Sequence, residues 1–291
     1  MIPRRRWLMI GLPVLLLVSG AALAQRFRAP TPQLGLPEDR AGVPNWAIDK
    51  AFKHDVFTFV RIEYDSTGGR GRGGRGGGWG GGWQRWATDW PDSDLNFSFR
   101  LQQLTALKVD PEPITLRLTD PRLADYPFIY LIEPGALAFS NEEAQALRKY
   151  LLNGGFLMVD DFWGDWEWQN FHDQLKRAFP DREPIELGLD HEIFHCVYRL
   201  KEKPQVPSIG AAWSGRDQGI TWEWGHGGNT RDVHYKGLFD DKGRMMAIIC
   251  HNTDLGDGWE REGEDPWYFK EFSEKKAYPM GINIVTYAMT H

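Results

Sequence analysis

Two short apolar segments on either side of a well-delimited helix constrain the fold of this chain more than any other feature. Residues 128–132 and 156–159 have strand length and contain no charged residue. Between them, Ser140 and Glu143 have the three-residue spacing of a capping box, and Gly154 stands where a left-handed helix end favours glycine. Strands that are apolar on both faces are typical of parallel sheets covered by helices. The unit therefore predicts an α/β domain.

The rest of the chain repeats this alternation of strands and helices. Further strands are predicted at residues 56–64, 114–118, 194–200 and 245–250. Further helices are predicted to be capped by Asp92 or Ser93 and by Asp165, and another is predicted to have Pro279 in its first turn. This order predicts a doubly wound, mostly parallel sheet between two helical layers, a three-layer arrangement of the flavodoxin-like type.

The N-terminus has the pattern of a secretory signal peptide. Three arginines at positions 4–6 precede the apolar segment 7–18, and the sequence Ala22-Leu23-Ala24 follows. The apolar segment is shorter than the roughly 20 residues of a membrane-spanning helix. We therefore expect cleavage after Ala24, which makes residues 1–24 a signal peptide and places the mature protein in the periplasm or cell envelope. An uncleaved anchor is the alternative, and the arginine pair also suits the twin-arginine route.

Two segments of biased composition lie on either side of the first predicted strand. Residues 25–54 are proline-rich with little periodicity, which predicts a linker or surface arm. Residues 68–82 contain eleven glycines and three arginines. We predict a flexible glycine-rich loop there, because such a segment buries too little apolar surface to offset the entropy of ordering it. The α/β domain is then expected to occupy residues 55–291.

The charge balance excludes two classes of partner. Loss of residues 1–24 removes three arginines and moves the formal charge from −6 to −9. An acidic protein of this kind is not expected to bind nucleic acid or an anionic membrane surface. No second apolar segment is long enough to span a bilayer, so we expect no membrane span after cleavage of the signal.

Several common chemistries have no signature in the sequence. Cys196 and Cys250 permit a disulfide, but spacing does not establish the geometry that a disulfide needs, and two buried thiols are favoured. Two cysteines so far apart do not form a zinc motif. The chain also lacks the G-x-S-x-G nucleophile turn and the Gly-Lys-Ser/Thr ending of a phosphate loop. No cofactor is implied.

Polar side chains follow the predicted strands at the points where those strands end. Ligands of open parallel sheets bind outside the carboxyl ends of the strands, so these side chains predict a ligand-binding rim. The alternative is that they cap helices and form turns. The candidate residues are Asp65, Asp89, Asp92, Asp160, Asp161, Trp163, His191, His251 and Asp254.

A histidine pair gives a weaker signal. His191 and His195 are four residues apart, a spacing that shares a metal ion on a helix. The residues after them favour a strand, on which the two would stand about 13 Å apart. We therefore assign no metal ligands, and we place His191 at the rim as a loop histidine.

Six segments together resemble the family known as domain of unknown function 4159: residues 57–64, 88–96, 154–161, 190–195, 252–259 and 287–291. The resemblance covers about residues 55–291 and implies a bacterial exported protein with no established activity. More distantly, the layout resembles the class I glutamine amidotransferase-like fold. Working members carry a cysteine nucleophile on the turn after a strand. Here the matching turn carries Asp160, Asp161 and Phe162, so glutamine hydrolysis by a thiolate is not expected.

These observations favour a non-catalytic ligand-binding or assembly module of the cell envelope. Its partner would be a small molecule such as a carbohydrate, or an envelope protein. The alternative is a carbohydrate-active hydrolase in which Asp160 or Asp161 pairs with Asp89 or Asp254. Cation binding by the aspartates and histidines is a third interpretation.

Overall fold

The computed structural model describes residues 35–48, 50–52, 55–67 and 84–291. The predicted signal peptide at 1–24 and the predicted glycine-rich loop at 68–82 lie outside the described residues. Parts of the predicted arm are described, and they contact the following domain. Arg40 Nη2 donates to the carbonyl of Pro111 at 2.7 Å, and Trp46 Nε1 donates to the carbonyl of Val109 at 2.7 Å.

Strands and helices alternate along the described chain. The strands are β1 (Val60–Glu63), β2 (Asp65–Ser66), β3 (Ile114–Arg117), β4 (Phe128–Ile132), β5 (Leu137–Ala138), β6 (Phe156–Asp160), β7 (Ile185–Glu186), β8 (His234–Phe239) and β9 (Met245–His251). The helices are α1 (Asp92–Leu104), α2 (Asn141–Leu152), α3 (Gly164–Ala178), α4 (Ile209–Gly215), α5 (Leu255–Glu260), α6 (Pro266–Tyr268) and α7 (Tyr278–Thr290). A π-helix at Phe269–Ala277 joins α6 to α7.

The central sheet has seven strands in the order β3-β1-β4-β6-β9-β8-β7. The first five strands are mutually parallel, and β8 runs antiparallel to both of its neighbours. The α/β class and the mostly parallel sheet are therefore confirmed. The strand order reverses at β1, because β3 lies on one side of β1 and β4 lies on the other. A crevice at the carboxyl ends of the strands is expected at such a reversal.

Alternate residues of the strands enter two separate cores. Phe59, Tyr130 and Met158 belong to the core that α1, α5 and α7 cover. Ile129 and Leu157, one residue out of phase, belong to the core that α2 and α3 cover. Both faces of the parallel strands are thus buried, which explains why β4 and β6 contain so few polar residues.

The capping box at the start of α2 is confirmed. The amide of Glu143 donates to Ser140 Oγ at 3.1 Å, and the amide of Ser140 donates to Glu143 Oε2 at 2.8 Å. The prediction that Asp165 caps α3 is wrong by two residues, since Trp163 holds the cap position. The helix begins at Gly164, and Asp165 lies in its first turn, where its carboxylate accepts from the amide of Asn229 at 3.2 Å.

The strand predicted at residues 194–200 is wrong. A short 3₁₀ turn at Glu192–Phe194 is followed by irregular chain. The side chain of Asn283 on α7 makes hydrogen bonds to this segment of the kind that a neighbouring strand would make. Its Oδ1 accepts from the amides of Val197 and Tyr198 at 3.2 Å and 2.8 Å, and its Nδ2 donates to the carbonyl of Tyr198 at 2.8 Å.

Candidate functional site

A cavity of about 500 Å³ lies outside the carboxyl ends of β4 and β6. Its walls come from the segment before α1, the ends of these two strands, the first turns of α3, α4 and α5, and the loop before β8. Most of the lining side chains are charged. They are Arg85, Asp89, Glu133, Asp161, Glu167, Glu223, His226, Asp254, Asp257 and Arg261, together with Thr88, Trp163, Ser208, Ile209 and Gly210.

Four of the nine sequence-derived candidates line this cavity. They are Asp89, Asp161, Trp163 and Asp254. Asp160 lies beneath it and has no exposed surface. The Oδ2 atom of Asp160 accepts from the amides of Leu255 and Gly256 at 2.9 Å and 3.0 Å, so it ties the end of β6 to the start of α5.

Asp65 and His251 lie outside the cavity, where each has a structural partner. Asp65 on β2 forms an ion pair with Arg117 at 3.1 Å. His251 is the last residue of β9, and its Nε2 lies 3.0 Å from the carbonyl oxygen of Gly164. Burial lowers the pKa of His251 to about 4, so its ring is neutral near pH 7.

Asp92 and His191 also lie outside the cavity. Asp92 is the first residue of α1, so its acidic side chain lies in the first turn of that helix. His191 lies far from the rim. Its ring packs 5.7 Å from that of Tyr287, which in turn contacts Phe156 at the amino end of β6. The loop after β7 therefore places His191 near the amino end of β6, opposite the end at which the cavity lies.

Three of the acidic residues in the cavity have left-handed backbone conformations. The φ angle is 61° at Asp89, 47° at Glu133 and 54° at Asp161. Residues other than glycine seldom adopt this conformation, and strained residues of this kind cluster at functional sites. Glu133 and Asp161 directly follow β4 and β6, so the sharp turns at these two strand ends direct acidic side chains toward one space.

Burial and mutual repulsion raise the pKa values of several acids in the cavity. The pKa values of Asp89, Asp161 and Asp254 all lie well above the ordinary range, first because of burial and then because of neighbouring carboxylates. Burial raises the pKa of Glu133 to about 7, although Arg85 opposes the shift. The cavity therefore retains protons near neutral pH.

The chain matches the family model described as Domain of unknown function (DUF4159) over residues 59–289. The chain belongs to this family. No curated protein matches it. Within the described part of this DUF4159 chain, no helix is both long enough and apolar enough to cross a membrane.

One histidine of the DUF4159 site lies between two carboxylates. His226 Nε2 is 3.2 Å from Glu223 Oε2, and His226 Nδ1 is 3.7 Å from Glu167 Oε1. These contacts outweigh burial and raise the pKa of His226 to about 9. Burial alone would raise the pKa of Glu167, but the contacts with His226 and the amide of Trp163 lower it. The histidine is thus cationic and both of its neighbours are ionised.

Neither thiol of the DUF4159 domain lines the cavity. Cys196 and Cys250 are both free. Cys196 Sγ donates to the carbonyl of Asn283 at 3.3 Å, and Cys250 is buried in β9. Burial raises the pKa of both thiols, which disfavours the nucleophilic thiolate.

Several residues of the site have no signature in the sequence. Arg85, Glu167, Glu223, His226 and Arg261 all line the cavity but were not candidates. Glu167 lies on α3 at a helical position that does not follow a strand directly, and Glu223 and His226 lie in a loop without periodicity. Glu133 could have been selected, since it is the first residue after β4.

Proposed function

We propose that this protein is a non-catalytic ligand-binding module of the cell envelope and that its cavity takes a small organic cation, an amine or a guanidine. The envelope location rests on the signal-peptide pattern of residues 1–24. The ligand class rests on one observation. Among the described residues, seven carboxylates line the cavity, against two arginines and one histidine.

Each cationic side chain of the cavity already contacts a carboxylate. Arg85 Nη1 lies 3.4 Å from Glu167 and 3.7 Å from Glu133. His226 lies between Glu223 and Glu167, and Arg261 Nε lies 3.4 Å from Asp257. Four of the seven carboxylates are thus paired with a cationic side chain, and the remaining three are not.

Those three acids are Asp89, Asp161 and Asp254, the same residues whose pKa values are raised most clearly. None of them forms an ion pair with another described residue. A carboxylate cluster without counter-charge must either hold protons or bind a cation. An ammonium group entering the cavity would replace those protons and supply the missing charge.

The shape and the aromatic wall of the cavity favour an organic cation. A volume of about 500 Å³ is in the range of small-molecule sites. Trp163 lines it, and an indole face attracts ammonium and guanidinium groups. Trp163 Nε1 donates to Asp161 Oδ1 at 3.3 Å, which fixes the indole beside that carboxylate.

Thermal denaturation with matched ligand pairs tests the proposal. A diamine at about a hundredfold excess over its Kd should raise Tm by roughly 5–10 °C, whereas the diol of equal length should not. Asp161→Asn and Glu133→Gln should reduce the diamine shift. Glu112→Gln, an exposed acid outside the cavity, is the charge-matched control. Equal shifts from diamine and diol, or no shift from any amine or guanidine, would contradict the proposal.

We also propose the finer fold assignment, a doubly wound flavodoxin-like sheet related to the class I glutamine amidotransferase-like fold. The order of the five parallel strands supports it, since renumbered by sequence it is 2-1-3-4-5. In that fold the residue after β6 would be the nucleophile. Here it is Asp161 in a left-handed conformation, and neither cysteine lines the cavity. We therefore expect no glutaminase activity.

A carbohydrate-active hydrolase is the second candidate, but with a different acid pair. Asp160 and Asp254 accept amide hydrogens at the start of α5, which leaves them poorly placed for acid–base chemistry. Glu133 and Glu167 are better suited. Both contact Arg85, and the pKa of Glu133 is about 7 while that of Glu167 is lowered. Hydrolysis of aryl glycosides that disappears in both Glu133→Gln and Glu167→Gln would favour this candidate over the first.

A further inference from the structure

Asp89, Asp257 and Glu260 form a compact group at one side of the cavity, which we call the acidic triad. One carboxylate oxygen from each residue lies within 4.8 Å of the other two. Asp257 and Glu260 are three residues apart on α5 and share a face of that helix. Asp89 comes from the segment before α1, so only the tertiary fold completes the triad.

Asp89 contributes a buried oxygen atom without a donor. Residue 89 as a whole is partly exposed, but its carboxylate is buried, and Oδ2 accepts no hydrogen bond from the described residues. Its strongest electrostatic neighbours are Asp257 and Glu260, so this carboxylate faces the other two. A buried acceptor without a donor destabilises the folded state, and a bound cation would remove that cost.

The charges of the triad leave room for a divalent ion. Arg261 is the cationic side chain in contact with it, since Nε lies 2.7 Å from Glu260 Oε2 and 3.4 Å from Asp257 Oδ1. When all three carboxylates are ionised, this guanidinium leaves two of their negative charges uncompensated among the described residues. Arg261 also contacts Glu264 at 3.3 Å outside the triad, so it keeps a partner when a cation takes the triad oxygens.

We propose that the acidic triad binds a divalent cation that prefers oxygen ligands, of the Ca²⁺ and Mg²⁺ class. Carboxylates are the protein ligands that these ions prefer, and water in the adjoining cavity completes the coordination. Opposite ligands of Ca²⁺ stand about 5 Å apart, so three oxygens within 4.8 Å of one another can belong to one coordination shell of that ion. This inference shares the cavity of the proposed function but does not require the organic ligand.

Calcium titration of the mature chain tests the inference. After treatment with a chelator, Ca²⁺ at about a hundredfold excess over its Kd should raise Tm by roughly 5–10 °C. Asp89→Asn and Glu260→Gln should abolish the shift, whereas Glu112→Gln should retain it. If Asp89→Asn does not fold, Glu260→Gln decides, because Glu260 is a partly exposed side chain of α5 beside Arg261.

Terbium luminescence locates the ion independently of stability. Trp259 lies between Asp257 and Glu260 on α5, so its indole should transfer excitation to Tb³⁺ bound at the triad. Trp259→Phe should reduce the luminescence, and Ca²⁺ should displace the terbium. The triad would be overturned as a metal site if neither Ca²⁺ nor Mg²⁺ raises Tm. It would also be overturned if Glu260→Gln shows the same Tm shift as the unaltered chain. A calcium response without an amine response would overturn the proposed function alone, and the reverse result would overturn this inference alone.

Discussion

Arg61 shows how a single buried charge positions part of the site. The side chain has no exposed surface, and its guanidinium forms an ion pair with Asp94, which is equally buried. It also donates to the carbonyls of Trp86 and Thr88 at 3.1 Å and 2.6 Å. These bonds hold the segment before α1 against β1. Because Asp89 follows directly, the position of that carboxylate in the cavity depends on Arg61.

Asp94→Asn should therefore lower the free energy of unfolding by about 3–5 kcal/mol, because it leaves a buried guanidinium without its counter-charge. Urea denaturation measures the change. Asp181→Asn is the matched control, since Asp181 pairs with Arg148 on the surface at 2.9 Å and solvent screens that pair, so its loss should cost far less. Similar losses in both variants would show that burial of the Arg61 pair contributes nothing special.

At the scale of elements, the site depends on the contact between the end of β6 and the start of α5. Asp160 accepts amide hydrogens from the first two residues of α5, and Asp254 accepts one from Asp257 at 2.7 Å. Gly256 permits this close approach. A Cβ atom there would stand 2.9 Å from Asp89 Oδ2 and 3.0 Å from Tyr130 Oη.

Gly256→Ala should destabilise the protein by roughly 1–3 kcal/mol, since overpacking outweighs the better helix propensity of alanine. Gly210→Ala in α4 is the control. Nothing lies within 4 Å of a Cβ atom at that position, so the same substitution should stabilise by up to about 1 kcal/mol. Thermal and urea denaturation of both variants distinguish the two signs. Stabilisation by Gly256→Ala would refute the close packing of α5 on Asp89.

At the scale of the whole molecule, the cavity couples stability to pH. Burial raises the pKa of Asp160 and of Glu133 to about 7, so the folded state holds protons that the unfolded chain releases near pH 4. Their contribution to stability is complete at acidic pH and is lost as pH rises through 7. The pKa of His226 is raised to about 9, so its contribution is present below about pH 6.5 and is lost as pH rises through 9.

These three groups act in the same direction, whereas His251, with a pKa lowered to about 4, opposes them below about pH 6.5. The free energy of unfolding should therefore decline between about pH 6.5 and pH 9. Urea denaturation at constant ionic strength measures the slope. The double variant Glu133→Gln and Asp160→Asn should flatten the decline below pH 7, whereas Glu112→Gln should leave it unchanged. A stability that rises over this range would contradict the burial of these acids.

Local signals were sufficient wherever a short segment carries its own hydrogen bonds or its own apolar pattern. The capping box of Ser140 and Glu143 forms its hydrogen bonds within four residues of sequence. The apolar composition of β4 and β6 is enough to predict that both strands are buried. The parallel sheet follows from these elements, and so does the position of Asp161 at a strand end. The wrong prediction of a strand at 194–200 shows the limit, because Asn283 supplies the hydrogen bonds of that segment from 85 or 86 residues away.

The sequence alone thus determined the α/β class, the main strands and helices, and four of the acidic and aromatic residues that line the cavity. Only the tertiary structure decided that Arg85, Glu167, Glu223, His226 and Arg261 join them, that His191 does not, and that Asp89 meets Asp257 and Glu260. The physical reason is that hydrogen bonds and apolar periodicity act over a few residues along the chain. Burial and charge repulsion act through space, between groups that the fold brings together.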